Sequence, residues 1–228
     1  MTRELLIALT CAFFASGCSN ATQEGSDNEP TIATAQEDET LAPVQRKKIK
    51  NYDGPFGLEM GLGLEEVQMI VPSLAVDDPG IYTADNVPVA HAAFESYILQ
   101  FSQSSGLCAL TAIGKDIDSG QTGSEVRSRF ESLAEGITAK YGQGKKYDFA
   151  TGLMDGHQYW MIALSDKNRT LAQFWNKEAG STMPDDLSGI SLQAHALNMR
   201  TGYVNLRYEF ANVDDCINEA KARENQAL

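Results

Sequence analysis

An α+β fold, a mainly antiparallel sheet (meander) with a long amphipathic helix and a C-terminal helix packed on one face, is predicted by three features of the chain. A strong helical stripe runs through its middle, strand-like runs separated by short turns lie on either side, and a polar helix-forming segment closes the sequence. Turns this short suit antiparallel neighbours, because parallel strands need long crossovers.

The central helix is the clearest element. Val126, Phe130, Leu133, Ile137 and Tyr141 form one apolar stripe, and Gly142 ends it. Thr122 with Glu125 offers a capping box and Ser124 an alternative N-cap, which leaves the start open between them. Upstream, an extended piece through Phe56 to Met60 leads into a helix from Leu64 to about Val71, stopped by Pro72. After a connection rich in Pro, Gly and Asp, residues 94–102 place Tyr97, Leu99 and Phe101 on one face. A turn at 103–106 then enters GLCALTAIG, an almost continuously apolar run of the kind found in central strands.

The second half reads as more meander. Residues 159–165 (YWMIALS) are expected to be a strand that turns through Asp166 to Arg169 into a second at 170–176, and 190–198 turns through Thr201-Gly202 into 203–210. In the last strand Val204, Leu206, Tyr208 and Phe210 face one way and Asn205, Arg207 and Glu209 the other, so one sheet face is solvated or used for binding. A closing helix runs from Asp214 or Asp215, both good N-caps, to about Gln226.

Composition divides the chain. Residues 51–228 carry the aromatic and apolar patterning of one domain, whereas 18–50 lack aromatics and hold few large apolar residues, too few to offset the entropy of ordering. That stretch is expected to be a tether, with a root-mean-square span of about 30 Å and a limit near 110 Å. It ends in a basic knot, Arg46, Lys47, Lys48 and Lys50, read either as a contact for anionic headgroups or as a solvated linker end. The chain as a whole carries a formal charge of -13, which argues against nucleic acid as a partner, since phosphate binding needs concentrated positive charge.

Residues 1–17 have the layout of an export signal: Arg3, then an apolar run from Leu5 to Ala15, then small residues before Cys18. The run is shorter than the roughly twenty residues a spanning helix needs. Ala15-Ser16-Gly17-Cys18 resembles the lipobox of bacterial lipoproteins, with Ala15 where that family prefers Leu. The resemblance implies cleavage before Cys18 and acylation of its thiol, and Ser19 in place of an Asp implies the outer membrane, facing the periplasm. Several acyl chains, at about 0.8 kcal/mol per buried methylene, hold a protein stably on a membrane. Gly61-Leu62-Gly63-Leu64-Glu65-Glu66-Val67 resembles the first helix of small outer-membrane-assembly lipoproteins and of β-lactamase-inhibitor-like modules, with Gly63 replacing the usual Ser or Thr. Those families imply a helix-then-meander unit that binds proteins.

With Cys11 in the signal and Cys18 acylated, Cys108 and Cys216 remain, expected to form a disulfide, with two buried thiols as the rival. His91, His157 and His195 lack the spacing of paired ligands on a helix, and the loops at Asp116 and Asp166 carry Arg127 and Lys177 where a calcium loop needs its twelfth-position carboxylate. No nucleophile elbow or phosphate-binding glycine loop is present. Tyr159, Trp160, Phe174 and Trp175, on the expected hairpin, are the best candidates for a contact surface. No cofactor is called for. The sequence does not name an activity; the expected function is that of a non-enzymatic, membrane-anchored binding or envelope-assembly module, with another envelope protein as the candidate partner, and the rival is a periplasmic hydrolase acting on cell-wall or lipid material.

Overall fold

A computed structural model describes residues 53–151 and 156–226. The signal, Cys18, the tether and its basic knot lie outside the described residues. The elements follow in the order α1 (Leu64–Ile70), β1 (Ala75–Asp78), β2 (Ile81–Ala84), β3 (Phe94–Ser102), β4 (Gly106–Gly114), β5 (Ile117–Asp118), α2 (Ser124–Tyr141), β6 (Lys145–Ala150), α3 (Trp160–Ser165), β7 (Arg169–Trp175), β8 (Leu187–Ala196), β9 (Thr201–Phe210) and α4 (Val213–Gln226). Single 3-10 turns occupy Pro55–Gly57 and His157–Tyr159.

The nine strands form one antiparallel sheet in the order β1-β2-β3-β4-β9-β8-β7-β6, with β5 paired to β9. The class is therefore α+β with helices packed against an antiparallel sheet. The chain runs twice through the same sequence of elements, a helix followed by a four-strand meander, α1 with β1 to β4 and α2 with β6 to β9. The two meanders meet where β4 pairs with β9, from Ala109↔Glu209 to Ala112↔Leu206.

Alternation assigns the faces. Val204, Leu206, Tyr208 and Phe210 are buried on the inner face with Leu99, Leu110, Ile190 and Leu192, and Val67 of α1 and Val126, Phe130 and Ile137 of α2 close over them. The cap of α2 comes from neither expected residue. Gly123 occupies the N-cap in a left-handed conformation, and the buried Ser119 hydroxyl accepts from the N–H groups of Glu125 and Val126 at 2.9 and 3.1 Å. The loop that follows β5 thus supplies the cap through space.

YWMIALS is the main correction. Residues 159–165 are the end of a 3-10 turn and α3 rather than a strand, with Trp160, Met161, Ala163 and Leu164 buried. Those positions follow helical spacing, and a seven-residue apolar run does not distinguish a buried helix from a strand by content alone. The partner of β7 is instead β6, Lys145 to Ala150, whose alternating Tyr147 and Phe149 carry a strand signal passed over in the sequence. The hairpin β1–β2 likewise lies within what reads as a connection.

The C-terminal helix meets the sheet through a second cluster, Cys108, Ala109, Val213 and Cys216, separate from the main core. The cause is a bulge: Gln100 pairs with Ala109 and Phe101 with Leu107, so Cys108 is the extra residue and is turned to the outer side with Ala109. α4 therefore lies on the outer face, opposite α2. The Cys108–Cys216 disulfide, with Cα atoms 6.4 Å apart, fastens its first turn. Farther along, the Glu219 carboxylate accepts from the Ser102 hydroxyl at 2.7 Å, from the Gln103 N–H at 2.8 Å and from Ser104, clamping the β3–β4 turn. Arg223 Nη2 donates to the Pro79 carbonyl at 2.9 Å and ties in the β1–β2 turn.

Two expectations follow. Closing a loop of 108 residues restricts the unfolded chain by about 4 to 5 kcal/mol in the entropy model. Cys216→Ala should lower the oxidised melting temperature by about 5 to 15 °C, to near that of reduced wild type, in calorimetry. For Glu219, hydrogen bonds, first that from Ser102, hold the carboxyl at about 2 against an ordinary 4.5. A lowered carboxylate stabilises the fold fully above its unfolded value and loses that contribution as pH falls through the folded one. The stability gap between wild type and Glu219→Gln, from urea titrations, should thus be constant above pH 4.5, narrow below it and close near pH 2.

Candidate binding cleft on the outer sheet face

With α4 on the outer side of β3 and β4, the outer face of β6, β7 and β8 carries no helix among the described residues. Its side chains follow from the register. Lys145, Tyr147 and Phe149 of β6 stand beside Phe174, Ala172 and Thr170 of β7, and next come Ser191, Gln193 and His195 of β8. Toward the centre a polar ladder crosses three strands. Arg207 bonds Glu209 at 2.9 Å, Gln100 at 2.8 Å and Thr111 at 3.3 Å, so the face between cleft and α4 is hydrogen-bonded and half-buried.

The sheet divides on this side. β7 is paired to β6 from Arg169 to Phe174, and β8 to β9 from Leu187 to Ala196. Between β7 and β8, however, only Ala172 to Trp175 pair with Ile190 to Gln193. Beyond Ala172 and Gln193 the strands part, and the fork opens a cleft of about 930 Å³. Residues 169–171 and 194–196 border it on either side, Leu164 and Ser165 at the end of α3 contribute to its lining, and Tyr147, Phe149 and Phe174 rise along it. Tyr147 and Phe174 meet edge to face, ring centroids 5.7 Å apart. A volume of this size is ordinary for a ligand site.

Charge in the cleft runs against that of the protein. Among the described residues Lys145, Lys167 and Arg169 line it against the single carboxylate of Glu178. The Lys145 ammonium lies over the Tyr147 ring at 5.2 Å, and Arg169 reaches to the inner face, where it bonds Asp148 at 2.9 Å. Lys167 stands exposed on a left-handed turn after α3. His195 stacks on Tyr203 with centroids 5.2 Å apart, and burial pushes its imidazole below the usual range, so the ring is neutral at pH 7.

The contact residues expected from the sequence separate. Phe174 lies on the open face and in the cleft, and Tyr159 is exposed on the 3-10 turn. Trp160 and Trp175 are buried and belong to the core. Trp160 packs so closely on Gly123 that a Cβ there would come within 2.2 Å of the ring, and the Arg127 and Arg169 guanidinium groups approach the indole at 5.7 and 5.8 Å. Trp175 packs on Gly144, and its indole N–H donates to Thr138 at 3.3 Å. The cleft residues missed from the sequence are those of β6 and the separated ends of β7 and β8, because a divergence between strands leaves no mark in either strand's pattern.

The remaining candidates have structural partners. His91 Nδ1 accepts from the Ala93 N–H, Asp118 accepts from Gly120, and Asp166 caps α3; the side chain of His157 lies outside what is described. Among the described residues no group of three His, Cys, Asp or Glu is arranged to hold a metal ion. No helix among them is long and apolar enough to cross a membrane.

No family model, curated protein or solved structure matches this chain.

The division between core and open face has a direct consequence. Trp160→Ala should cost about 3 to 5 kcal/mol of folding stability, whereas Phe149→Ala, at a side chain half exposed beside the cleft, should change it by less than about 0.5 kcal/mol. Denaturant titration of the two variants checks both values.

Proposed function

We propose that the chain is an exported lipoprotein, acylated at Cys18 and held at the periplasmic side of the outer membrane, whose folded domain is a non-enzymatic module binding another envelope protein. The observation that carries the binding half of this reading is the open, aromatic and cationic cleft on the outer face of β6 to β8, in a protein whose net charge is -13. A site built for chemistry would bring titratable groups together in such a place. Here the lysines stand at separate points of the lining, and His195 is engaged by Tyr203. The anchoring half rests on the lipobox-like residues 15–18 and on the composition of residues 18–50 as a tether.

One experiment in intact cells addresses both halves. A photo-reactive amino acid at Phe149, beside the cleft, should crosslink a discrete envelope protein, and the same residue at Glu135, on the exposed side of α2, should not. Cys18→Ser should move the protein from the membrane to the soluble fraction or leave it uncut. Equal crosslinking from the two positions, or none from Phe149, would remove the binding half, and unchanged processing and membrane attachment in Cys18→Ser would remove the anchor.

A further inference from the structure

The fork between β7 and β8 is more than a concavity, because its walls are main chain. Along a strand, of any two consecutive residues one directs its N–H and C=O toward each neighbour. Between Thr170 and Leu171, and again within residues 194–196, some of these groups therefore point across the cleft, and the β7–β8 ladder does not reach them. Such groups need hydrogen-bond partners once water is displaced. The side chains around them are apolar at Tyr147, Phe149 and Phe174 and cationic at Lys145 and Lys167.

We propose that this cleft takes an extended, acidic peptide segment of the partner protein, laid between β7 and β8 as an added strand. The inference rests on the reading of the open face as a binding surface and names its occupant. Entering at the mouth of the fork, the segment supplies N–H and C=O groups to the parted ends of β7 and β8, and pockets for alternate side chains set the choice of sequence. On the aromatic side the segment presents apolar residues between Tyr147, Phe149 and Phe174. Its carboxylates are drawn to Lys145 and Lys167, in a site where Glu178 is the only acidic side chain among the described residues. An acyl chain fits the same apolar surface and carries an anionic head, yet it leaves the strand edges without partners.

The test begins with selection from a library of displayed random peptides of about eight residues on the purified protein, followed by synthesis of the enriched sequences. Those sequences should alternate apolar with acidic residues. Bound peptide should slow amide exchange in residues 170–171 and 194–196, and N-methylation at alternate peptide bonds, which removes strand hydrogen bonds and keeps the side chains, should weaken binding by about tenfold or more. Lys167→Glu, at an exposed turn residue, should weaken it by about fivefold or more, and Thr170→Trp, which fills the fork, should abolish it. Because Thr170→Trp risks the fold, Lys167→Glu and the N-methylated peptide decide the outcome if it fails to express. The proposal is overturned if no enriched peptide depends on Lys167, if N-methylated peptides bind equally well, or if sub-micellar oleate occupies the cleft while the peptides do not. Retained crosslinking from Phe149 in cells together with any of these results leaves the binding reading standing and removes only the strand-addition occupant.

Discussion

The pairing of β4 with β9 is the constraint on which the rest of this structure depends. β4 closes the first meander and β9 the second, and their ladder joins the middle of the chain to its end. Because each strand is the last of its meander, placing them side by side puts both helices that precede the meanders, α1 and α2, over one continuous apolar face. The same pairing leaves the chain emerging from Phe210 beside the bulge at Cys108, within reach of a disulfide. Contacts of such long sequence separation are costly to form, and the covalent bond there restricts the unfolded chain where the fold most needs it.

The bulge then decides how the outer face is shared. In a regular strand Cys108 would lie on the side of Leu110, in the main core, and could not meet a helix on the other face. One extra residue reverses it, and α4 docks on the outer face through the Cys108, Ala109, Val213 and Cys216 cluster, held by Glu219 to the β3–β4 turn and by Arg223 to the β1–β2 turn. β3 and β4 are thereby covered on both faces. The outer face of β6, β7 and β8 carries no helix among the described residues, and the separation of β7 from β8 above α3 gives that face its depth. The two meanders repeat one plan and diverge in use: one is closed by a helix, the other carries the cleft.

α3 is what makes the difference within the second meander. Its buried face, Trp160, Met161, Ala163 and Leu164, packs inward, and its last turn lies where β7 and β8 part. Trp160 fits there because Gly123 offers no Cβ, so the N-cap of α2 and the seat of α3 depend on one residue. The chain is acidic as a whole, whereas Lys145 and Lys167 stand along the cleft, so the local charge there differs from that of the general surface.

Strong periodicity and chemical signals were legible without the structure. The stripe of α2, the alternation of β3 and β9, the apolar run of β4 and the polar run of α4 are each set by residues adjacent in sequence, and the structure has those elements within a residue or three of the expected bounds. The start of α4 differs from the expected caps: the helix begins at Val213, so Asp214 and Asp215 lie in its first turn and Asn212 precedes it. The pairing of Cys108 with Cys216 followed from there being two cysteines left in the domain. The apolar residues of YWMIALS suggest a strand because content alone does not separate a short buried helix from one, and the strand signal of Tyr147 and Phe149 is diluted by Lys145, Lys146 and Asp148. The sequence by itself determined the strongly patterned helices and strands and which face of each is apolar, since backbone period and side-chain chemistry are local. Only the tertiary structure decided that β4 lies beside β9, that a bulge sends α4 to the outer face, and that β7 and β8 part to form a cleft. Those features depend on the registers between strands far apart in the chain, and no single strand carries that information.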